Sequence, residues 1–161
     1  MEELLGLTVG QPEIELAAGD VLVREGAPAR DLFVLLTGRL MVRKGDEDFI
    51  VVDAPGASIG EMGVLLDRTH TATVVAIEPS RLRVIADAAT ALDHDPAVLH
   101  AVATLLARRL DLVNAFLVDL QNQYRDVDGG LGLIGEVVRG LAGHHGDGLD
   151  PGSEREPDPL Y

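Results

Sequence analysis

Between residues 11 and 86 the chain alternates short apolar runs with turn signals at nearly even intervals. Ile14–Leu16 precedes Gly19-Asp20, Val21–Val23 precedes Glu25-Gly26 and Pro28, and Leu32–Leu36 ends at Thr37-Gly38. Leu40–Val42 runs into the polar stretch Lys44-Gly45-Asp46-Glu47-Asp48, which predicts a hairpin tip, and Phe49–Val52 ends at Pro55-Gly56. Thr73–Ile77 ends at Glu78-Pro79-Ser80, and Leu82–Ile85 closes the series. Apolar runs this short, bounded by Gly, Pro and Asp, predict strands rather than helices. Many of them at even spacing predict an all-β sandwich or barrel.

The period changes near residue 88. Asp93 or Asp95 is placed to cap a helix, with Pro96 in its first turn. Leu99, Val102, Leu106, Leu110, Val113, Leu117, Leu120 and Tyr124 then recur at spacings of three and four, and Leu105, Leu112 and Phe116 widen the stripe. This heptad-like pattern predicts about seven helical turns. So long a stripe exceeds what one small barrel covers, so the helix is expected to be shared between the barrel and a second chain in a homodimer. Gly129-Gly130 interrupts it. The expected organisation is a lead-in over residues 1–10, a β domain over 11–90, a long dimerisation helix over 91–128, a short helical segment over 129–142 and a disordered acidic tail over 143–161.

Composition limits what such a chain does. It has 161 residues, 47% of them apolar, and no cysteine. A chain of this size buries roughly two-thirds of its unfolded surface, so a core forms without disulfides, and thiolate metal sites are excluded. No stretch approaches the roughly 20 apolar residues that span a bilayer, and Met1-Glu2-Glu3 lacks the basic start of a secretion signal. A cytoplasmic location is expected. With 27 acidic against 13 basic side chains, the net charge is −14. That opposes binding to nucleic acid, where cations must displace phosphate counterions, and to anionic membranes. A local pocket for one small anion remains compatible with it.

Candidate chemistry concentrates in Ile59-Gly60-Glu61-Met62-Gly63-Val64-Leu65-Leu66-Asp67-Arg68-Thr69-His70-Thr71-Ala72-Thr73-Val74. It reads as a tight turn, one short helical turn, a loop and a strand. Amides at the start of a helical turn favour an anion, whereas a carboxylate at Glu61 accepts hydroxyl hydrogen bonds. Thr71 offers a hydroxyl to a phosphate. The pattern suits a ligand that is part sugar and part phosphate.

Here the chain resembles the cyclic-nucleotide-binding domain family over about residues 12–86. Gly19-Asp20, Glu25-Gly26, Leu32–Leu36 and Thr37-Gly38-Arg39-Leu40 match the family's glycine-punctuated early strands. Ile59-Gly60-Glu61-Met62-Gly63 matches the opening of its phosphate-binding cassette, and Ala72-Thr73-Val74 the closing strand. The resemblance implies an antiparallel double-stranded β-helix, a jelly-roll-like β-roll, followed by a long helix. It implies that Glu61 accepts from the ribose 2′-hydroxyl, that the amides of Gly60, Met62 and Gly63 line the sugar-phosphate, and that Thr71 contacts the phosphate or a purine edge. The implied ligand is cyclic AMP (cAMP) or cyclic GMP (cGMP), with no cofactor. Two positions depart: the family places Pro-Arg immediately before Thr71, and this chain has Thr69-His70. Replacing a permanently charged bidentate group with an imidazole costs about 1.5–3 kcal/mol of a charge-assisted contact, a tenfold to hundredfold loss in affinity. Arg68, two residues back, is the nearest substitute cation.

Other clusters carry less. His144-His145 with Asp147 and Asp150 lies in a Gly-rich stretch of no fixed geometry, and no metal site is expected. His94, His100, Arg108 and Arg109 read as surface groups, and Asp119 and Asp126 as the polar side of the long helix. No catalytic set is evident, so the chain is not expected to be an enzyme. With about 30 acidic, Gly-rich residues after the long helix, no DNA reader is expected. Two readings stay open: a stand-alone regulatory sensor that signals through its dimer helix to an unknown protein partner, and a ligand-free dimeric interaction module on the same fold.

Overall fold

A computed structural model describes residues 2–123. Its elements run α1 (Glu2–Leu7), β1 (Glu13–Leu16), β2 (Val21–Val23), β3 (Leu32–Thr37), β4 (Leu40–Lys44), β5 (Glu47–Val52), β6 (Ser58–Ile59), α2 (Glu61–Leu65), β7 (Thr73–Ala76), β8 (Ser80–Ile85), α3 (Ala88–His94) and α4 (Pro96–Gln123). Tyr124, the Gly129-Gly130 break, the segment 129–142, the stretch 143–161 and its His144-His145 pair lie outside the described residues.

The strands form two four-stranded antiparallel sheets, ordered β1-β8-β3-β6 and β2-β7-β4-β5. This is the β-roll that the short, evenly spaced runs imply. Each apolar run of the sequence became a strand. The two-residue β6, which pairs Phe33 with Ile59 and Val34 with Ser58, carried no pattern of its own.

The packing explains why β3 is apolar throughout rather than alternating. Leu32 and Val34 pack outward, in a cluster with Leu4, Ile85, Leu92 and Val102. Phe33 and Leu35 point the other way, among Val23, Leu40, Val74 and Leu82 between the sheets. Successive strand side chains leave opposite faces, so a strand covered on both faces needs apolar residues at every position.

The helical region divides at Asp95. A residue that precedes proline is pushed out of the α region, and Asp95 has φ −123 and ψ 85. Its carboxylate then accepts the N–H groups of Ala97 (3.1 Å) and Val98 (3.2 Å), capping α4 with Pro96 in the first turn. α3 is therefore a separate element. Along α4 the buried residues are Val98, Ala101, Val102 and Leu105. The phase is one residue away from the start of the leucine stripe, since Leu99 is 37% exposed.

The chain divides into two units after Arg109, within α4. In the described part of the second unit, Leu110, Leu112, Val113, Phe116 and Val118 are all exposed. No described helix is long and apolar enough to cross a membrane.

Candidate ligand site

The cassette begins where β6 ends. Gly60 adopts φ +95, a left-handed conformation that costs any side-chain-bearing residue about 1–2 kcal/mol. A Cβ there would also lie 2.8 Å from the backbone oxygen of Asp31. Gly63 is needed for space: a Cβ would sit 2.4 Å from the Cβ of Ala29 and 3.1 Å from the Arg68 oxygen. These glycines let the cassette close onto the segment that leads into β3. Arg68 N–H donates to the Gly63 carbonyl at 2.9 Å and ties the loop back onto α2.

That turn carries Glu61 into the interior, where it is 4% exposed. Its Oε1 accepts from Arg109 Nη1 at 2.5 Å, and Arg109 Nη2 donates to the Ser58 carbonyl at 3.1 Å. Among the described residues, Oε2 of Glu61 and Oγ of Ser58 are buried without a hydrogen-bond partner. An orphaned buried carboxylate oxygen costs about 1–3 kcal/mol until a donor reaches it. The cassette therefore presents an acceptor held in place from one side and unmet on the other. Arg109 had read as a surface residue. It instead continues the buried face of α4, four residues after Leu105, and that spacing was the available signal.

His70 sits where two loops cross. Its N–H donates to the Ala27 carbonyl (2.9 Å), and its carbonyl accepts from Gly26 N–H (2.8 Å). Thr69 bridges Pro28 alongside. The His70 ring is buried, with Cε1 3.5 Å from the position a Cβ on Gly60 would take. Burial pushes its pKa below the ordinary value of 6.5. The structure thus brings Gly60, Glu61, Gly63 and His70 together through the loop crossing. Met62 is 46% exposed on α2, Thr71 is half-buried at the entry to β7, and Arg68 is exposed on the connecting loop. Among the described residues, the Arg68 side chain makes no ion pair that would commit it elsewhere.

His70 also lines an open cavity of about 360 Å³ together with Val21–Arg24, Ala27, Pro28, Arg30, Asp31 and Phe33. The sequence singled out none of these β2–β3 residues as a site. Arg24 and Arg30 lie in a glycine-punctuated turn, and only the fold shows that they share a wall with His70.

The fold is a two-sheet antiparallel β-roll whose connection from β6 to β7 opens on a glycine turn at a buried carboxylate. Residues 13–91 match the cyclic nucleotide-binding domain family. A protein of a cyclic-GMP-dependent signalling pathway that regulates bacterial phytopathogenesis is 30% identical, with a TM-score of 0.57 over 69% of this chain and 94% of that one. The chain belongs to the cyclic nucleotide-binding domain family. Among curated proteins it is similar to the acetyltransferase Pat of Mycolicibacterium smegmatis, 45% identical over 64 residues that are 38% of this chain and 19% of that protein. It is also similar to the cAMP-dependent protein kinase regulatory subunit of Blastocladiella emersonii, 38% identical over 74 residues that are 44% of this chain and 18% of that one. The matched regions thus span about a fifth of these curated relatives.

Proposed function

We propose that this domain binds a cyclic nucleotide, cAMP or cGMP, and passes its occupancy to α4. Gly60, Met62 and Gly63 line the sugar-phosphate through their amides. Glu61 accepts from the ribose hydroxyl, and His70 and Thr71 face the phosphate. Arg68 adds positive potential from the loop. The observation that carries this reading is the unmet, buried Oε2 of Glu61, an acceptor whose cost of burial a ligand hydroxyl would remove. Because Oε1 of the same carboxylate holds Arg109 of α4, ligand contact at Oε2 bears directly on the helix. Beyond Arg109 the exposed apolar side chains of α4 give the helix a face for a second copy of the chain, so the output is a dimer whose helices respond to the ligand. This is a regulatory role, without catalysis by the domain itself.

A second reading keeps the fold and the dimer without a ligand. It is favoured by His70, which is neutral near pH 7 where the family carries a permanent cation. Calorimetric titration with cAMP and with cGMP separates the two. A saturable exotherm that Glu61→Gln weakens supports the sensor. No binding at millimolar nucleotide, in the parent and in His70→Arg alike, leaves the interaction module.

A further inference from the structure

β5 is apolar along Phe49–Val52, the uninterrupted run that a strand covered on both faces requires. Yet Phe49 is 77% exposed and Ile50 52%. The register explains part of this: Val42 pairs with Ile50 and Arg43 with Asp48, so Phe49 is the extra residue of a bulge. β5 is also an outer strand, paired among the described residues with β4 alone. With six residues it offers the longest free edge of the two sheets. β1 has four residues, two of them glutamates paired with Arg81. β2 has three, and the two-residue β6 gives its Ser58 carbonyl to Arg109. The β4–β5 tip is acidic, with Glu25, Asp46, Glu47 and Asp48 against Arg43 and Lys44, and Arg43 is already paired with Asp48. Glu25 also fixes the tip: its Oε2 accepts the Gly45 N–H at 3.0 Å, and its own N–H donates to Thr73 Oγ1 at 3.0 Å.

We infer that the free edge of β5 receives an extended segment of a partner protein, with β-branched residues beside Phe49–Val52 and Lys or Arg beside Glu47 and Asp48. The backbone N–H and C=O groups of the edge supply a ladder, as in other strand additions. Phe49 and Ile50 pack against cross-strand neighbours, and the acidic start of β5 sets the charge and direction of the incoming strand. A second copy of the chain is the poorer occupant, because it would add its own carboxylates to an edge already acidic. The inference does not rest on nucleotide binding, since Glu61 and His70 lie on other elements.

The probe is the peptide acetyl-TIVIRK-amide, titrated into the isotope-labelled chain and followed by NMR. Antiparallel to β5, it sets its basic end against Glu47 and Asp48. The expected result is a saturable shift of the β5 amides with a Kd of about 0.1 mM or tighter, weakened by added salt. Phe49→Ser should weaken it about tenfold, through lost aromatic burial, and leave cyclic-nucleotide binding unchanged. The amide spectrum of that variant checks that its fold is retained. The peptide acetyl-TIVIEE-amide should bind about tenfold more weakly than the basic one. Methylating alternate backbone nitrogens of the basic peptide should abolish binding in one alternation and spare it in the other, because only one edge of an added strand faces β5. No saturable shift up to about 1 mM peptide overturns the inference. So do shifts centred away from β5, tolerance of both methylation patterns, or equal affinity for the acidic peptide. A shift of the β5 amides on concentrating the protein alone would make a second copy the occupant and overturn it as well.

Discussion

Arg109, on α4, and Glu61, in the cassette, form the link between the β-roll and the helix that follows it. The guanidinium spans two acceptors, the Glu61 carboxylate and the Ser58 carbonyl, and so joins α4 to β6 and α2 at once. The Glu61 side chain is 5% exposed and that of Arg109 40%. Removing one partner of a buried ion pair costs about 3–5 kcal/mol, and solvent screening at the half-exposed arginine reduces this. Arg109→Ala is therefore expected to destabilise the fold by about 1–3 kcal/mol, read as a lower urea midpoint at unchanged m-value. An unaltered midpoint would mean that the pair contributes nothing net. Glu61→Gln keeps the shape and removes the charge, so cyclic-nucleotide affinity should fall by about tenfold or more.

The approach of Gly63 to Ala29 predicts a coupled pair. Gly63→Ala forces two methyl groups to 2.4 Å, an overpacking expected to cost about 1–3 kcal/mol. Ala29→Gly removes the opposing methyl, so the double variant should recover part of the loss. A thermal-denaturation double-mutant cycle reads the coupling. Strict additivity would show that the loop shifts to avoid the contact. Gly60→Ala has no such rescue, because the obstacle is the Asp31 backbone oxygen and the φ is positive.

These two positions also show what the sequence could and could not convey. Runs such as Leu32–Leu36 announced their strands because burial on both faces demands apolar residues throughout, and Asp95-Pro96 announced the start of α4 because cap and proline chemistry is local. Gly60 and Glu61 were legible through resemblance, as a spaced motif. The partner of Glu61 was not, since Arg109 lies 48 residues away and an arginine on a helix looks the same whether it meets solvent or a carboxylate. The Arg24–Arg30–His70 wall was equally hidden, because it exists only where the β2–β3 loop crosses the cassette. Helical spacing located the α4 stripe but left its phase open, with Val98 taking the buried position rather than Leu99.

Cap chemistry yields a contained test of α4. Asp95→Ala removes the acceptor for two amide groups and should lower stability by about 1 kcal/mol. Asp95→Asn retains a side-chain acceptor and should cost less. Equal losses in the two variants, measured by urea unfolding, would place the effect in charge rather than in the cap.

The distal part of α4 predicts self-association. Leu110 and Val113 are each 50% exposed, Phe116 63% and Leu112 71%, an apolar surface that a second copy would cover. Light scattering at tens of micromolar should report a dimer. Leu110→Asp with Leu117→Asp should give a monomer, because each substitution puts an unpaired charge into an apolar seam. A monomeric parent protein would remove the dimer from the proposed output.

His70 gives the prediction that most directly tests the ligand. Burial holds its folded-state pKa below 6.5, so between those two values the unfolded chain binds more protons than the folded one. The stability associated with His70 is then present above pH 6.5 and lost as pH falls through the folded pKa. A bound phosphate acts in the opposite direction, because a nearby anion favours the imidazolium and raises the pKa. Proton uptake is therefore coupled to binding, and cyclic-nucleotide affinity should rise as pH falls from about 8 to about 6. His70→Arg supplies the charge at every pH. It should tighten binding about tenfold and flatten the pH profile. Calorimetry in buffers of different ionisation enthalpy measures the proton uptake, which should be present in the parent and absent in His70→Arg. Binding that is independent of pH in the parent would place the phosphate away from His70, and the charge it needs would then have to come from the guanidinium groups of the neighbouring loops.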